Sequence, residues 1–456
     1  MMDYKNRSFT ILGAGRSGIA AARLLKKHGA DVFISDGGKK ENLIYLDENI
    51  LKNEGIKFET GGHTEKVFKA DALIKSPGIS PDSAVILGAI KNGLKIYSEI
   101  EIAFNFCKAP VIAVTGTNGK TTTTVLTGEI FRKAGRKTFV CGNVGTAFSE
   151  IAELTDENSI VVLEVSSFQL NDTETFRPKV SVMLNVTPDH LDWHKNFENY
   201  INAKFNIMKN QKAGDTAAIN YDDIALREKA GRMKKDLAFF SVRENLKKKG
   251  VRKGSFAEEG KIYYFDNDKG IDEEIMQSSN INIRGMHNLY NSLAAIISAR
   301  AFEIKNEIIE NTLKEFKGVE HRIEFVNEIN GVMYFNDSKA TNIDSLIVAL
   351  ESFDKNIILI LGGREKDNDY SKVEKLIESK VKMILAIGES RDKIINHFEG
   401  KVKVLKSDSM KDAVRKAYEN SIRGDKVLLS PACKSFDMYA NFEERGRDYK
   451  SEVNKL

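Results

Sequence analysis

The amino-acid sequence predicts an α/β protein with three domains in series, each built around a parallel sheet. The 456 residues exceed what one hydrophobic core usually supports, and the length suggests about three domains. Short apolar runs alternate with helix-like patterns along the chain, which is typical of parallel sheets covered by helices. Two of these runs end in glycine-bearing loops that lead directly into a helical pattern. The predicted fold class rests on length, alternation and these two loops.

The domain boundaries are predicted where the alternation of strands and helices breaks. It breaks around Asn105–Pro110 and again near Lys317–Val319. We therefore predict an N-terminal domain over 1–108, a central domain over 109–318 and a C-terminal domain over 319–456.

The composition excludes several classes of protein. Hydrophobic residues make up 41% and charged residues 29%, which describes an ordinary globular chain. The net charge of +4 is too small to indicate a nucleic-acid partner. The one dense basic run, Lys247–Lys253, is interpreted as a solvated loop or hairpin rather than a binding patch.

Targeting signals are also not expected. No stretch of about 18 apolar residues is present, so membrane insertion is not predicted. The first residues, MMDYKNRSFTILGAG, lack the apolar segment of a signal peptide. Three distant cysteines, Cys107, Cys141 and Cys433, suit a reducing compartment without structural disulfides. We expect a cytoplasmic monomer with small-molecule partners.

The N-terminal domain carries the first glycine loop. Its elements are predicted as strands over 8–15 and 30–36, near 70–76 and near 94–97, with a helix over 17–28. Gly13, Gly15 and Gly18 form a G-x-G-x-x-G pattern between strand and helix, and Asp36 ends the next strand. This is the Rossmann fingerprint in its expected context. The pattern specifies a diphosphate-bearing nucleotide, so NAD and a UDP-linked substrate both satisfy it.

A second segment of the N-terminal domain ends at the same edge of the predicted sheet. Ser76-Pro77-Gly78 follows a strand, and ligands of such sheets bind at the carboxyl ends of the strands. The tripeptide is equally typical of an ordinary turn.

The central domain repeats the alternation. Its predicted elements are helices over 119–134, 197–210 and 288–302, a further helix to 316, strands over 137–141, 159–165, 179–185 and 215–220, and a hairpin over 255–265.

The second glycine loop opens this domain, in the sequence VIAVTGTNGKTTTT. The apolar run Val111–Val114 leads into a loop that closes on Gly119, Lys120 and Thr121. Glycines allow backbone N–H groups to approach an anion, and the helix N-terminus adds a partial positive charge. Lys120 can reach the outer phosphates and the Thr121 hydroxyl can bind Mg²⁺. Val114 stands where the usual pattern has its first glycine. We nevertheless predict a P-loop-like site for a nucleoside triphosphate.

Two further residues of the central domain are candidate metal ligands. Glu164 ends the apolar strand 160–163, where its carboxylate can bind Mg²⁺ beside Thr121. His190 follows the strand 180–185, near the same loops. An ordinary loop-edge glutamate and a structural histidine are the alternatives.

Lys204 lies on the apolar face of its predicted helix. Its neighbours at helical spacing are Tyr200, Ile201, Ile207 and Met208. A buried ammonium group is costly, so the spacing favours a side chain that snorkels to water. The alternative is a desolvated neutral amine that adds carbon dioxide, because the resulting carbamate is an anionic metal ligand.

The C-terminal domain is predicted to open with strands over 322–329 and 332–337. The apolar runs Asn356–Leu361 and Val381–Ile387 are typical of buried parallel strands.

Taken in order, these and other motifs resemble the bacterial Mur ligases over essentially the whole chain. The motifs are Thr115–Thr122, Gly142-Asn143, Glu164–Gln169, Asp189-His190, Lys204, His287-Asn288, His321-Arg322, Asn336–Asn342, Leu361–Gly363 and Leu429–Asp437. The segments NDSKATN and SPAC-x-SFD are similar to those of one member of this family, and that resemblance implies addition of D-glutamate to UDP-N-acetylmuramoyl-L-alanine. The resemblance implies a Rossmann-like N-terminal domain for the UDP moiety, a central P-loop ATPase-like domain and a Rossmann-like C-terminal domain.

The resemblance also implies an activity: ATP-dependent amide ligation through an acyl phosphate, in peptidoglycan precursor synthesis. ATP would be bound by Thr117, Asn118, Gly119, Lys120, Thr121, Thr122, Thr123, Asn288, Asn291, Arg322 and Asp337. Thr121 and Glu164 would bind one Mg²⁺ ion. His190 and a carbamate formed from CO₂ on Lys204 would bind a second, against the snorkelling that spacing alone favours. Lys120, Glu164, His190 and Lys204 would be the catalytic set.

The implied contacts with the other substrates involve all three domains. The UDP-linked substrate would contact Ser17, Asp36, Ser76, Gly78, Asn143, Ser166 and Gln169, and D-glutamate would be surrounded by Lys339, Thr341, Lys366, Ser435, Phe436 and Phe442. Arg364 is an alternative to Lys366. Because ATP contacts come from two domains, the C-terminal domain is expected to close on binding.

Three other functions fit parts of the sequence. A sibling Mur ligase or a folylpolyglutamate synthetase would differ at Asp337–Asn342. An NAD-dependent oxidoreductase built on Gly13–Gly18 leaves the phosphate loop unexplained. A non-catalytic nucleotide sensor has no need of Lys120, Glu164, His190 and Lys204 together.

Overall fold

The protein is described by a computed structural model that covers residues 4–43, 45–143, 145–364 and 368–456. Lys366, one of the predicted D-glutamate contacts, lies outside these described residues.

The described residues form a mixed α/β fold. The strands are β1 (Ser8–Leu12), β2 (Asp31–Asp36), β3 (Lys57–Thr60), β4 (Ala72–Lys75), β5 (Lys95–Ser98), β6 (Val111–Thr115), β7 (Thr138–Gly142), β8 (Ile160–Glu164), β9 (Val180–Met183), β10 (Thr216–Asn220), β11 (Leu237–Ser241), β12 (Lys253–Glu258), β13 (Lys261–Asp266), β14 (Ile271–Gln277), β15 (Glu324–Ile329), β16 (Val332–Asn336), β17 (Ile357–Gly362), β18 (Val381–Ile387), β19 (Lys403–Lys406) and β20 (Lys426–Leu429).

The helices cover most of the intervening segments. They are α1 (Arg16–Lys27), α2 (Glu48–Asn53), α3 (Ala84–Lys91), α4 (Glu99–Phe106), α5 (Lys120–Lys133), α6 (Phe148–Ile151), α7 (Ser167–Asn171), α8 (Leu191–His194), α9 (Phe197–Phe205), α10 (Ile224–Gly231), α11 (Met286–Arg300), α12 (Asn306–Glu315), α13 (Ile343–Glu351), α14 (Glu374–Lys380), α15 (Arg391–Phe398), α16 (Met410–Asn420) and α17 (Phe442–Val453).

Three sheets organise these elements, as the predicted fold class requires. The first sheet has the order β3-β2-β1-β4-β5 and is parallel throughout. The chain order reverses between β1 and β4, and in open α/β sheets that switch point is where ligands bind. Gly13–Gly18 follows β1 and Ser76–Gly78 follows β4, so both segments lie at this point.

The second sheet has the order β14-β13-β12-β11-β10-β9-β6-β8-β7. The pairs from β7 to β12 are parallel, and β13 and β14 add an antiparallel edge. All five residues of β6 and of β8 are buried, because helices cover both faces of such a sheet. The carboxyl ends of β6, β8 and β9 therefore meet at one edge, beside the second glycine loop.

The third sheet has the order β15-β16-β20-β17-β18-β19, with β15 antiparallel at one edge. The chain divides into two compact units. One comprises residues 1–281 and 289–315 and contains the first two sheets; the other comprises 282–288 and 316–456 and contains the third. The predicted boundaries after residues 108 and 318 divide the chain into three domains rather than into these two units, and they stay predictions.

Within the first unit, α4 carries a carboxylate that binds the segment after α7. Glu101 is buried and accepts hydrogen bonds from the backbone N–H groups of Glu174, Thr175 and Phe176 at 2.7–3.1 Å, and from the Thr175 hydroxyl. A hydrogen bond from a backbone N–H to a carboxylate is stronger than one to a neutral acceptor. This contact therefore attaches α4, the helix after the last strand of the first sheet, to the segment after α7.

A buried ion pair adds to this attachment. Lys75 at the end of β4 is 2% exposed, and its Nζ lies 2.7 Å from Asp172 Oδ2. The same ammonium group lies 4.9 Å from the centre of the Trp193 ring. Removing one partner of such a pair would leave a buried charge uncompensated, so the pair specifies how these segments pack.

Two predicted elements differ from those observed. The predicted hairpin over 255–265 is the β12–β13 pair, and a third strand, β14, extends it. The predicted helix over 197–210 ends at Phe205 and continues only as a short 3₁₀ turn.

The basic run Lys247–Lys253 lies at this antiparallel edge. Lys247, Lys248, Lys249, Arg252 and Lys253 each form an ion pair with a carboxylate, 2.6–3.0 Å away. The interpretation of the run as a solvated surface segment is confirmed. Among the described residues, no helix is long and apolar enough to cross a membrane.

Candidate active site

The loop between β6 and α5 has the backbone conformation of an anion cradle. Gly116 and Gly119 have φ angles of 157° and 85°, which side chains rarely allow. A Cβ added at Gly119 would lie 2.4 Å from Asn291 Oδ1. Glycine is therefore needed at this position both for conformation and for space.

Asn185, which follows β9, holds the loop from one side. The Asn118 backbone N–H donates to Asn185 Oδ1 at 2.8 Å, and Asn185 Nδ2 donates to the Asn118 carbonyl at 3.1 Å. The Thr117 N–H donates to the Asn185 carbonyl at 2.9 Å. The Thr117 hydroxyl lies 3.0 Å from the Tyr200 hydroxyl. These bonds fix the shape of the loop independently of any ligand.

Lys120 lies at the start of α5 and folds over the loop. Its Nζ donates to the carbonyl oxygens of Gly116 at 2.9 Å and Thr117 at 2.8 Å. Thr121, Thr122 and Thr123 follow in the first turn and are buried. The Thr123 hydroxyl donates to Asn291 Oδ1 at 3.1 Å, so Asn291 contacts the phosphate loop itself. Asn288, in the first turn of α11, donates to the Arg284 carbonyl at 2.8 Å.

Lys204 does not reach water, so the snorkelling interpretation is wrong. The side chain is 2% exposed, its Nζ donates to the Gly116 carbonyl at 2.9 Å and it lies 4.5 Å from the centre of the Tyr200 ring. Burial, together with the nearby Lys120 ammonium, lowers the pKa of Lys204 well below its usual value, although Asp189 opposes the shift. Two lysine head groups thus share one carbonyl oxygen, a cationic arrangement beside the loop.

Glu164 lies at the same edge as the loop. Val114 pairs with Glu164 in the register of β6 and β8, and Glu164 is 2% exposed. Its Oε1 accepts a hydrogen bond from Asn143 Nδ2 at 2.9 Å. The structure therefore brings two predicted residues, Glu164 and Asn143, into direct contact.

His190 has a strained backbone and an accessible side chain. Its φ of 52° is uncommon for a residue with a side chain, and its side chain is about half exposed, at 49%. The imidazole lies 4.8 Å from the Phe168 ring and its Nε2 lies 3.5 Å from Asp189 Oδ2. Strain of this kind is often found at functional sites.

Ser166 and Gln169, predicted to contact the UDP-linked substrate, bind each other. The Ser166 N–H and hydroxyl both donate to Gln169 Oε1 at 3.0 Å, and the Gln169 N–H donates to Ser166 Oγ at 3.3 Å. This capping box opens α7. The spacing S-x-x-Q is itself a capping signal, which the sequence reasoning did not use.

The first glycine loop is built by close backbone approach. A Cβ at Gly18 would lie 2.0 Å from the Gly13 carbonyl, and one at Gly13 would lie 2.5 Å from Ser76 Oγ. Asp36 binds the loop: its Oδ2 accepts from the Ala14 N–H at 2.6 Å and its Oδ1 from the Gly38 N–H at 2.7 Å. Ser17 lies in the first turn of α1, and Gly78 is exposed.

In the second unit, Asp337 is a buried acid at the end of β16. Its Oδ2 accepts from the Ser430 hydroxyl at 2.9 Å and its Oδ1 from the Ile323 N–H at 3.3 Å. Burial raises the pKa of Asp337 to about 7, although Ser430 and Arg322 oppose the shift. The Arg322 N–H donates to the Val319 carbonyl at 3.1 Å, next to this segment.

The predicted D-glutamate contacts in this unit lie around Phe442. Lys339 Nζ lies 5.5 Å from the centre of the Phe442 ring, and the Phe442 carbonyl accepts from the Ser338 hydroxyl at 2.8 Å. Ser435 is buried, Thr341 is partly buried and Phe436 is exposed. The predicted residues thus differ widely in exposure.

A buried arginine that sequence reasoning missed supports this segment. Arg445 is 2% exposed and donates to Ser338 Oγ, to the Ser338 carbonyl and to the Cys433 carbonyl at 2.8–3.0 Å. It therefore links the two motifs, Asn336–Asn342 and Leu429–Asp437, that the sequence singled out. Arg445 lies on α17, outside both motifs, so no local sequence signal predicts these contacts.

These features define a nucleotide-binding α/β protein with two glycine loops on separate sheets. Models of known families match three segments: the MurD N-terminal domain over 8–85, the Mur ligase middle domain over 114–299 and the Mur ligase glutamate ligase domain over 321–433. The chain belongs to the Mur ligase family.

Similar proteins cover the whole chain. A protein of Salinibacter ruber is 44% identical over 100% of this chain and 99% of its own length, and one of Alkaliphilus oremlandii is 42% identical over 100% of both. Both are named UDP-N-acetylmuramoylalanine–D-glutamate ligase.

Solved structures share the fold. The UDP-N-acetylmuramate–alanine ligase MurC of Thermotoga maritima superposes with a TM-score of 0.59 at 17% identity, covering 99% of this chain and 100% of its own. The MurF ligase of the same organism, solved in complex with ADP, gives 0.57 at 19% identity over 100% of both chains. These two structures agree with a three-sheet α/β architecture.

Proposed function

We propose that this chain catalyses the ATP-dependent addition of D-glutamate to UDP-N-acetylmuramoyl-L-alanine, a step of peptidoglycan precursor synthesis. One observation supports the chemistry most directly. Two lysine head groups and a loop with two positive-φ glycines lie together at the edge of the second sheet, and both head groups donate to the Gly116 carbonyl. A loop of this conformation beside the Lys120 ammonium group suits the several negative charges of a nucleoside triphosphate.

The residues beside the loop fit Mg²⁺, which prefers oxygen ligands. Thr121 supplies a hydroxyl at the start of α5, and Glu164 supplies a carboxylate held by Asn143. We assign one Mg²⁺ ion to Thr121 and Glu164, and a second to His190 and a carbamylated Lys204. When bound, these ions would neutralise charge on the phosphates and on the approaching carboxylate.

The carbamate on Lys204 is supported by burial of the amine. Burial lowers the pKa of Lys204 and so favours the neutral amine, whose lone pair can form a bond to the carbon of CO₂. The nitrogen then loses a proton, and the product is a carbamate anion beside Lys120. This anion would be attracted to the Lys120 ammonium group.

In the proposed reaction the alanine carboxylate of the UDP-linked substrate attacks the γ-phosphate of ATP, giving an acyl phosphate and ADP. The amine of D-glutamate then attacks the acyl carbon, and phosphate leaves. The chain acts by positioning and by charge neutralisation: Lys120 binds the outer phosphates, and the loop N–H groups orient them. The first glycine loop and Asp36 would hold the UDP moiety. Asn288, Asn291, Arg322 and Asp337 are proposed as further ATP contacts.

Phosphate release tests the proposal. We expect release from ATP only when UDP-N-acetylmuramoyl-L-alanine and D-glutamate are both present. L-glutamate and the amino acids used by sibling ligases are the matched controls, because they differ only in the attacking amine. Release that depends equally on another amino acid or another UDP-linked acceptor would contradict the proposed specificity. Binding of NADH beside Gly15 without binding of ATP would contradict the proposal as a whole.

A further inference from the structure

A histidine that the proposed mechanism does not use lies at the carboxyl edge of the first sheet, after its outermost strand β3. His63 follows β3, and its imidazole is exposed. Its Nδ1 lies 2.7 Å from the hydroxyl of Ser35, which is fully buried near the end of β2. The same hydroxyl lies 2.7 Å from Glu59 Oε1. His63, Ser35 and Glu59 therefore form a hydrogen-bonded chain across two neighbouring strands.

The ionisation state of Glu59 determines which group donates and which accepts in this series of hydrogen bonds. Partial burial raises the pKa of Glu59, but hydrogen bonds from the Thr64 N–H, the Thr64 hydroxyl and Ser35 bring it below its usual value. Glu59 is therefore an ionised acceptor. The single Ser35 hydroxyl proton is donated to Glu59, and the Ser35 oxygen must accept from His63 Nδ1–H. In the neutral imidazole this leaves Nε2 as a hydrogen-bond acceptor.

His63 Nε2 lies near the carboxyl ends of the strands, the edge of the sheet where nucleotides are expected to bind. A Cβ at Gly37 would lie 3.4 Å from His63 Nε2, so the imidazole lies beside the residue that follows Asp36. The Gly61 N–H donates to the Gly38 carbonyl at 2.8 Å, which joins the glycine segments after β2 and β3. Among the described residues, Nε2 has no hydrogen-bond partner. An oriented acceptor is thus presented at the edge where nucleotides of such sheets bind.

Both carboxylate oxygens of Asp36 already bind backbone N–H groups, and each retains a lone pair for a ligand. Each of its carboxylate oxygens accepts a short bond from a backbone N–H group, Ala14 on one side and Gly38 on the other. Asp36 thus fixes the loop that would bind the diphosphate. In Rossmann-type sites the nucleoside extends from that loop toward the end of the second strand. His63 lies there.

We propose that His63 Nε2 accepts a hydrogen bond from the nucleoside of the UDP-linked substrate, and so helps to determine its specificity. This proposal rests on the proposed function. The donors available on uridine are the uracil N3–H and the ribose hydroxyls, and both would bind the same acceptor. Cytosine has no N3–H, so contact with the base would discriminate against it, whereas contact with the ribose would not.

The test is a comparison of variants by binding and kinetics. His63→Phe keeps an aromatic ring but removes the acceptor, whereas His63→Gln places an amide oxygen near the Nε2 position. We expect His63→Phe to raise the KM for the UDP-linked substrate and the Kd for UDP roughly tenfold, as for a lost hydrogen bond to a partly buried donor. His63→Gln should recover part of this loss, and the KM values for ATP and D-glutamate should not change. A purely structural role would not produce this pattern.

His28→Gln is the matched control. His28 follows α1 and precedes β2, so it lies at the opposite edge of the first sheet, where it bonds Glu153 at 2.9 Å. We expect this variant to bind UDP as the unmodified chain does. Melting temperatures of all variants show whether the N-terminal sheet is intact.

Substrate analogues identify the donor. 3-Methyl-UDP lacks the uracil N3–H, and 2′-deoxy-UDP and 3′-deoxy-UDP each lack one ribose hydroxyl. The unmodified chain should bind the analogue that lacks the contacted donor roughly tenfold more weakly than UDP, and His63→Phe should not discriminate. Unchanged UDP binding by His63→Phe, or discrimination that persists in this variant, would overturn the proposal. Failure of the unmodified chain to bind UDP would instead contradict the proposed function.

Discussion

The two glycine loops have similar backbones and opposite electrostatics. Both follow a strand that lies between two parallel neighbours, and both open a helix; the first contains one glycine with positive φ, Gly13, and the second contains two, Gly116 and Gly119. Around the first loop, a carboxylate, Asp36, accepts from the Ala14 N–H. Around the second, two lysines donate to one carbonyl oxygen. We propose that a similar strand–loop–helix unit binds the UDP moiety in one case and, with Lys120 added, the phosphates of ATP in the other.

The two loops also differ in how the side chains beside them affect the stability of the fold. Asp36 satisfies a backbone donor and so stabilises the first loop. At the second loop, desolvation and the Lys120 ammonium group both disfavour the charged form of Lys204. Such a site gains most from an anionic ligand. We expect ATP to bind with the lower Kd and therefore to raise the melting temperature more than UDP does at the same free concentration.

The largest expected effect is that of Lys120→Ala. Removing this charge should lower kcat by roughly 10²–10³-fold, the scale of losing one preorganised electrostatic contact. The KM for the UDP-linked substrate should change little, because the first loop is untouched. Lys133→Ala is the control: Lys133 lies on the same helix and forms a surface ion pair with Glu315. Turnover of Lys120→Ala close to that of the control would contradict the assignment.

Lys204→Met is expected to lower activity and to raise the stability of the fold at neutral pH. We expect kcat to fall by roughly 100-fold, because the carbamate proposed to hold the second Mg²⁺ ion cannot form. The pKa of Lys204 is lowered in the folded state, so the unfolded chain binds more protons below the unfolded pKa. Its contribution therefore destabilises the fold at neutral pH, and stability rises with pH as the lysine of the unfolded chain loses its proton. The methionine variant should lack this pH dependence.

Denaturant unfolding of Lys204→Met and the unmodified chain, measured from pH 7 to 11, would test the sign, because the range is chosen to cover the usual pKa of a lysine. A variant less stable than the unmodified chain at pH 7, in buffer free of CO₂, would contradict this account. Restoring CO₂ should raise the activity of the unmodified chain and leave that of the variant unchanged.

The smallest expected effect is that of Gly18→Ala, which disrupts the first loop. Gly18→Ala would place a Cβ 2.0 Å from the Gly13 carbonyl, so helix and loop must separate. We expect destabilisation of about 1–3 kcal/mol and a severalfold rise in the KM for the UDP-linked substrate, with the KM for ATP unchanged. Gly231→Ala is the control, because nothing lies within 4 Å of its added Cβ. A rise in the KM for ATP alone would contradict the assignment of the two loops.

Much of the fold was predictable because its signals are local. The strand before Gly13 and the strand before Gly116 are short apolar runs, and each is followed by glycines that side-chain-bearing residues cannot replace. The alternation of strands and helices indicated three sheets. The strand β14, which is polar at Asp272, Glu273 and Glu274, carried no comparable apolar signal.

The candidate site was less predictable because its contacts join distant residues. The sequence placed Lys204 on an apolar face but could not show that its Nζ meets Gly116, 88 positions earlier. Asn185 and Asn291 bind the phosphate loop from other elements, and no motif marks the contact of Asn185 with Asn118. The arrangement of Asp36 between two backbone N–H groups was equally hidden.

The Glu101 carboxylate has a consequence for which acceptors the enzyme can use. It binds three successive backbone N–H groups after α7 and thereby joins the two sheets of the first unit. The separation between the two glycine loops is then a property of the folded chain rather than of its ligands. In the proposed arrangement, with UDP at the first loop and ATP at the second, an acceptor must span that separation to bring its carboxylate to ATP, so we expect selection by molecular length. Analogues with a shortened linker between diphosphate and acid should bind without being phosphorylated.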